Sequence, residues 1–126
     1  MTGAGEARTD LAETLGAATA VLGTSMCIAP GIVSRIWTGD ASPAPKVIAR
    51  ALGARDLALG FGLYTAARRG RPTRGWAEGL VLATAGDAVA TLLHWRHLPR
   101  AGRWLVLATS LSAAGMFLSI ARNPSG

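Results

Sequence analysis

The sequence predicts an all-α fold: a four-transmembrane-helix bundle with a short interfacial helix after the first span. Three observations lead there. Half of the 126 residues are hydrophobic, yet aromatic residues make up only 6%, few for a soluble core of this length. Gly, Ala, Ser and Thr fill the apolar stretches, and these small residues let helices pack closely inside a bilayer. Two stretches, Thr14 to Ser34 and Trp104 to Ala121, carry no charge and match the roughly 17–25 residues that cross a hydrocarbon core. Two more, about Val47 to Ala67 and Trp76 to Trp95, are long enough but hold charges.

A chain of this length makes one domain. A polar segment over 1–10 precedes a single membrane domain over 11–122 and a tail over 123–126. The first ten residues include Glu6 and Asp10 and have no basic run leading into a short apolar core. The first span therefore reads as a retained helix and not as a cleaved signal peptide.

The first helix is expected over 11–29, stopped by Pro30-Gly31. The next seven residues put Ile32, Val33, Ile36 and Trp37 on one side and Arg35 on the other. That pattern suits a helix lying flat at the membrane surface with Trp37 at headgroup level. Thr38-Gly39-Asp40 makes a turn, and Ser42-Pro43 is a helix start, with Ser as cap and Pro in the first turn. The second span is expected over 43–68. On a helical wheel Ala49, Gly53, Gly60 and Ala67 form one narrow stripe, suited to a close backbone approach. Leu57, Phe61 and Tyr64 project from a neighbouring sector, as lipid contacts. The third span, over 75–96, aligns Trp76, Leu80, Ala83, Asp87, Thr91 and His94, with Gly79 and Gly86 as packing residues beside them. The fourth runs over 104–122.

The formal charge is +6, which raises nucleic acid as a partner, but its placement argues against that. Arg68, Arg69, Arg71 and Arg74 fall between spans two and three, and Arg96, Arg100 and Arg103 between three and four. Basic residues in short links between apolar helices are what membrane topology produces. No aromatic residues interleave with a basic face, as a single-strand binder needs. The lipid bilayer is the expected partner, with a homodimer and a lipophilic or amphipathic ligand as further ones, in a bacterial cytoplasmic membrane. With the N-terminus inside, six basic residues face the cytoplasm and five the other side, Arg50 and the intramembrane Arg55 being left out of the count. One cysteine, Cys27, excludes an intrachain disulfide.

The intramembrane charges are the candidate site. Folding the chain back near Arg71-Pro72 brings residues whose numbers sum to about 143 to equal depth. Asp87 then lies level with Asp56 and one residue from Arg55. Each such charge opposes insertion by roughly 2.5–3.5 kcal/mol, while each Leu, Ile, Phe or Val returns about 0.3–0.6 kcal/mol. The seven such residues of the second span (Val47, Ile48, Leu52, Leu57, Leu59, Phe61, Leu63) cannot offset both Arg55 and Asp56. That span therefore needs the third, with Arg55 meeting Asp87 across a Gly-lined contact. Asp56 is left to a hydroxyl, a water or a share of the same guanidinium, or one carboxylate stays protonated. Arg50 lies nearer the surface, where its long side chain reaches water.

Three functions are compatible with this constellation. A structural or accessory component would use the ion pair as a clamp that also lines a polar or headgroup pocket. A proton-coupled carrier would use Asp56 or Asp87. A membrane-embedded enzyme acting on a lipophilic substrate would need Asp56, Asp87 and His94 around one cavity. His94 and His97 with Asp87 are two histidines and one carboxylate at scattered depths, short of a metal set. No phosphate-cradling Gly loop or nucleophile elbow is present, so no cofactor is implied. A soluble Ala-rich bundle is the competing fold, because charge-interrupted apolar helices also build soluble cores.

Leu52-Gly-Ala-Arg-Asp56 with Gly60, then Gly75-Trp76, then Gly86-Asp87, resembles the motifs of a family of small bacterial four-helix integral membrane proteins of unknown function. The family carries an Arg-Asp…Gly motif in its second helix and a Gly-Asp pair in its third. The resemblance covers about residues 50–96 and implies that Arg55, Asp56, Gly60 and Asp87 form the defining constellation. It implies no activity. Some members place a histidine at the start of the fourth helix, where Arg103-Trp104 stands here, which speaks against an inherited proton relay.

Overall fold

Proline and glycine set most of the helix boundaries in the computed structural model, which describes residues 2–123. Met1 and residues 124–126 of the expected tail lie outside the described residues. The elements are α1 (Thr2–Ile28), α2 (Pro30–Thr38), α3 (Pro43–Arg68), α4 (Arg74–Leu93), a 3-10 turn (Trp95–His97) and α5 (Arg100–Arg122).

The polar segment expected before the first span is itself helical and continues into α1. Ala4, Glu6, Ala7 and Arg8 are good helix formers and no proline interrupts them. Pro30 opens α2 at its first turn, and Gly39 closes it in the left-handed region (φ 76°) with its N–H donating to the Arg35 carbonyl. Gly70, the other positive-φ residue among those described, turns the chain between α3 and α4 (φ 62°). Ser42 precedes α3 as expected but makes no side-chain cap. Pro45, at the third position of the helix, lacks one of the two amides that such a cap could bond and leaves only that of Ala44. Asp40 bonds the amide just before the helix. Its Oδ1 accepts from the Ser42 N–H at 2.8 Å, which holds its carboxyl below the usual carboxylate range.

The third span ends earlier than expected and the fourth begins earlier. α4 stops at Leu93 and α5 starts at Arg100, directly after Pro99. Leu98 is extended, as the residue before a proline prefers. Arg100 and Arg103 thus belong to the first turn of a helix and not to a link.

α1, α3, α4 and α5 alternate in direction and form two tightly packed antiparallel pairs, α1 with α3 and α4 with α5. The α1/α3 pair is a contact of backbones. Gly16 and Gly23 on α1 face Gly60 and Gly53 on α3, seven residues apart on each helix. A Cβ on Gly60 would sit 2.7 Å from the Gly16 carbonyl oxygen, and one on Gly53 would sit 2.6 Å from that of Gly23. The pairs join at the end holding Arg68 and Arg74 through a core of Ala12, Leu63, Ala67, Ala77, Leu80, Phe117, Ile120 and Ala121. At the opposite end α2 lies across the bundle. The Ile36 carbonyl of α2 sits where a Cβ of Gly102 on α5 would be.

Burial is inverted relative to a water-soluble bundle. The interior is mostly Ala, Gly, Ser and Thr, while Val21, Ile28, Val47, Ile48, Leu82, Leu92 and Leu93 stand on the outside. An apolar exterior this extensive is not what water-soluble monomers present. Three helices, α1, α4 and α5, are long and apolar enough to cross a membrane, so the chain is a membrane-embedded, multi-pass protein. Four such helices were expected. α3 falls short because every 18-residue run within it holds at least three of Lys46, Arg50, Arg55, Asp56 and Arg68.

Candidate functional site

The short link between α3 and α4 fixes their relative register and brings Arg55 opposite Asp87. The guanidinium engages Asp87 with both ends of its fork: Nη1 donates to Oδ1 at 3.1 Å and Nη2 to Oδ2 at 2.9 Å. Its other edge serves Asp56, with Nε and Nη2 donating to Oδ1 at 3.1 and 2.9 Å. One guanidinium is therefore shared by two carboxylates, the third of the arrangements open to Asp56. Four of its five N–H groups are used. Oδ2 of Asp56 accepts nothing from the described residues. With both carboxylates ionised the cluster carries one net negative charge.

Two cavities flank the cluster, and Trp37, Leu52, Arg55 and Asp87 form the partition between them. The inner cavity, about 380 Å³, is walled by Leu22, Met26, Leu105, Val106 and Phe117, and its polar groups include Asp56, Thr19, Thr84, Thr109 and Ser110. The side cavity, about 570 Å³, lies among α2, α3 and α4, where Gly86 and His94 line it with Ser34, Thr38 and Ile48. The apolar core at the Arg68 end closes the floor of the inner cavity with Leu80 and Phe117, both almost fully buried. α2 supplies its roof with Val33, Ile36 and Trp37.

The partition is held from α2. Trp37 Nε1 donates to Thr91 Oγ1 at 3.2 Å, and Thr91, fully buried on α4, donates in turn to the Asp87 carbonyl at 2.8 Å. Neither Trp37 nor Thr91 carries a charge, and neither was expected to support Asp87. The wheel did place Thr91 one turn from Asp87 on the same face.

Other expected site residues fall elsewhere. His94 is exposed and its Nδ1 lies 3.1 Å from the Ala90 carbonyl of its own helix. It borders the side cavity only, so Asp56 and His94 line different cavities. Arg50 lies at the surface end of α3, where Nε donates to the Cys27 carbonyl at 3.1 Å. That carbonyl belongs to the last turn of α1, where helix acceptors lack a following N–H. Gly53 and Gly60 pack tightly, but against α1 and not against the third span. Besides the ion pair, the contact that joins α3 to α4 is close-packed at a different glycine, Gly62, where a Cβ would run into the Trp76 ring. A Cβ on Gly79 would meet only the Leu59 Cδ2 at 3.3 Å, and one on Gly86 would meet nothing within 4 Å. Of the expected lipid contacts, Phe61 is exposed, while Leu57 and Tyr64 are half-buried beside Gly23 and Gly16.

Compared with models of known protein families, with curated proteins and with solved structures, the chain matches none.

Proposed function

We propose that this is a four-span accessory protein of a bacterial cytoplasmic membrane that binds an amphipathic ligand bearing a cationic or hydrogen-bond-donating head. In this reading α3 crosses the bilayer with the other three long helices. The Arg55–Asp87 pair clamps the α1/α3 pair to the α4/α5 pair, and Asp56 supplies the charge that selects the ligand. The observation that carries the reading is the sharing of one guanidinium by two carboxylates beside apolar cavities. With both carboxylates ionised the cluster keeps a net negative charge and unfilled carboxylate lone pairs, while the rest of the walls suit a hydrocarbon body. Cavities of this size are typical of small-molecule sites.

Insertion energetics agree. α3 cannot enter a bilayer on its own apolar residues, so Arg55 must be neutralised by partners in the same chain. A proton-coupled carrier would need a path from the Arg68 end, where Leu63, Ala77, Leu80 and Phe117 are packed shut. An enzyme would need Asp56, Asp87 and His94 around one cavity, and Asp56 and His94 line different ones.

The test is equilibrium binding of the lipophilic cation tetraphenylphosphonium to reconstituted protein, wild type against Asp56→Asn. That substitution removes the surplus charge and leaves the Arg55–Asp87 fork. The expected result is saturable binding that weakens by about tenfold, the effect of losing ~1.4 kcal/mol of attraction. No binding to the wild type, or equal binding to both proteins, contradicts the proposal.

A further inference from the structure

We infer that a second site, on the outer surface where α1, α2 and α3 meet, holds the phosphate of an anionic phospholipid. A cavity of about 600 Å³ there is lined by three cations, Arg35, Lys46 and Arg50, and by Ile28, Ile32 and Ile36. None of the three cations makes an ion pair with a carboxylate among the described residues. Arg50 spends only Nε on the Cys27 carbonyl, which leaves its terminal nitrogens for a ligand. The nearest acid in sequence, Asp40, is bound to the Ser42 amide in the turn.

The shape of the site follows from the break at Ala29. α2 turns away after α1 ends, so the first turn of α2 opens onto the same cavity, and the amides of a first turn lack intrahelical acceptors. The Lys46 chain crosses over Gly31: a Cβ on Gly31 would lie 3.1 Å from Lys46 Cε. The three isoleucines stand four residues apart and are all exposed, Ile28 by 76% and Ile32 by 64%. They form an apolar strip beside a cationic recess, the same order of surfaces that a phospholipid presents from acyl chain to phosphate. Paired cations and an apolar strip match a phospholipid better than a free anion, which would leave the isoleucines uncovered. Clustered basic residues beside a membrane helix attract anionic lipid by about 1 kcal/mol each, a factor of roughly five.

This inference depends on the membrane location proposed above but not on the ligand of the Asp56 cavities. The test is thermal melting of the full chain in dodecyl maltoside micelles with added dioleoyl phosphatidylglycerol, dioleoyl phosphatidylcholine or inorganic phosphate at matched concentration. Phosphatidylglycerol is expected to raise the midpoint by about 5 °C near saturation, with phosphatidylcholine and inorganic phosphate far less effective. Arg35→Gln with Lys46→Gln should weaken the phosphatidylglycerol response roughly 25-fold in apparent affinity, while Arg69→Gln with Arg71→Gln, at the other end, should retain it. Arg50 is left in place because it caps α1. Equal responses to the two lipids, an equal loss in both double variants, or a matching response to inorganic phosphate overturns the inference. Failure of the chain to sediment with membranes would instead remove the membrane reading itself.

Discussion

The two faces of α3 make contact in opposite ways. Toward α1 it presents Gly53 and Gly60, and backbone meets backbone with no room for a side chain. Toward α4 it presents Arg55, and the two helices are held through a charged fork that spans the edge of two cavities. Close packing by small residues fixes a helix pair but leaves nothing to bind. A long polar side chain fixes a pair while keeping a gap open. The molecule uses the first device within the α1/α3 half and, away from the apolar core at the Arg68 end, the second between the halves, so the space with chemistry in it lies between the halves.

The largest expected effect separates the two faces. Gly60→Leu forces α1 and α3 apart and should cost at least about 3 kcal/mol, the upper range for overpacked interiors. Gly86→Ala meets open space and should be neutral or gain up to ~1 kcal/mol of helix propensity. Size-exclusion profiles and melting midpoints in detergent read the difference, and equal damage at both positions breaks the contrast.

A smaller effect tests the charged face against an exposed ion pair. Asp87→Asn removes one of the two charges on Arg55 and leaves it to Asp56 alone, so it should cost less than the roughly 3–5 kcal/mol of a fully broken buried pair but more than an exposed one. Glu78→Gln disrupts only the exposed Arg74–Glu78 pair, worth under about 1 kcal/mol. Folded yield in detergent should fall for the first and hold for the second. The smallest effect concerns the strap. Thr91→Val leaves Trp37 Nε1 without its acceptor and should cost about 1–2 kcal/mol. A shifted Trp37 indole N–H resonance would accompany it, and an unmoved resonance would show that the strap does not hold the partition.

Much of this was legible in the residues, and the rest failed for identifiable reasons. A link of about five residues between two helices fixes their register, so Arg55 could be matched with Asp87 by depth alone. The stripe of Ala49, Gly53, Gly60 and Ala67 could be read as a packing face, because a helical period identifies a face. It does not identify the partner. Gly16 and Gly23 repeat the spacing of Gly53 and Gly60, yet Gly79 and Gly86 do so too, and only packing distinguishes them. The cap on Cys27 by Arg50 and the early start of α5 depend on where chain ends meet in space. Pro99 was the available signal for the latter. The absent Ser42 cap has a partial signal in the sequence, since Pro45 removes one of the two amides it could have bonded.

A double-mutant cycle on Arg55 and Asp87 examines the centre of this account most directly. Melting midpoints in detergent would be measured for Arg55→Ala, Asp87→Ala and the two together. Arg55→Ala strands two carboxylates, whereas Asp87→Ala leaves Arg55 with Asp56, so the double change should cost less than the sum of the two single ones, with a coupling of about 0.5–3 kcal/mol. Costs that simply add would mean that the two side chains do not meet, and the clamp between the helix pairs would have to be given up.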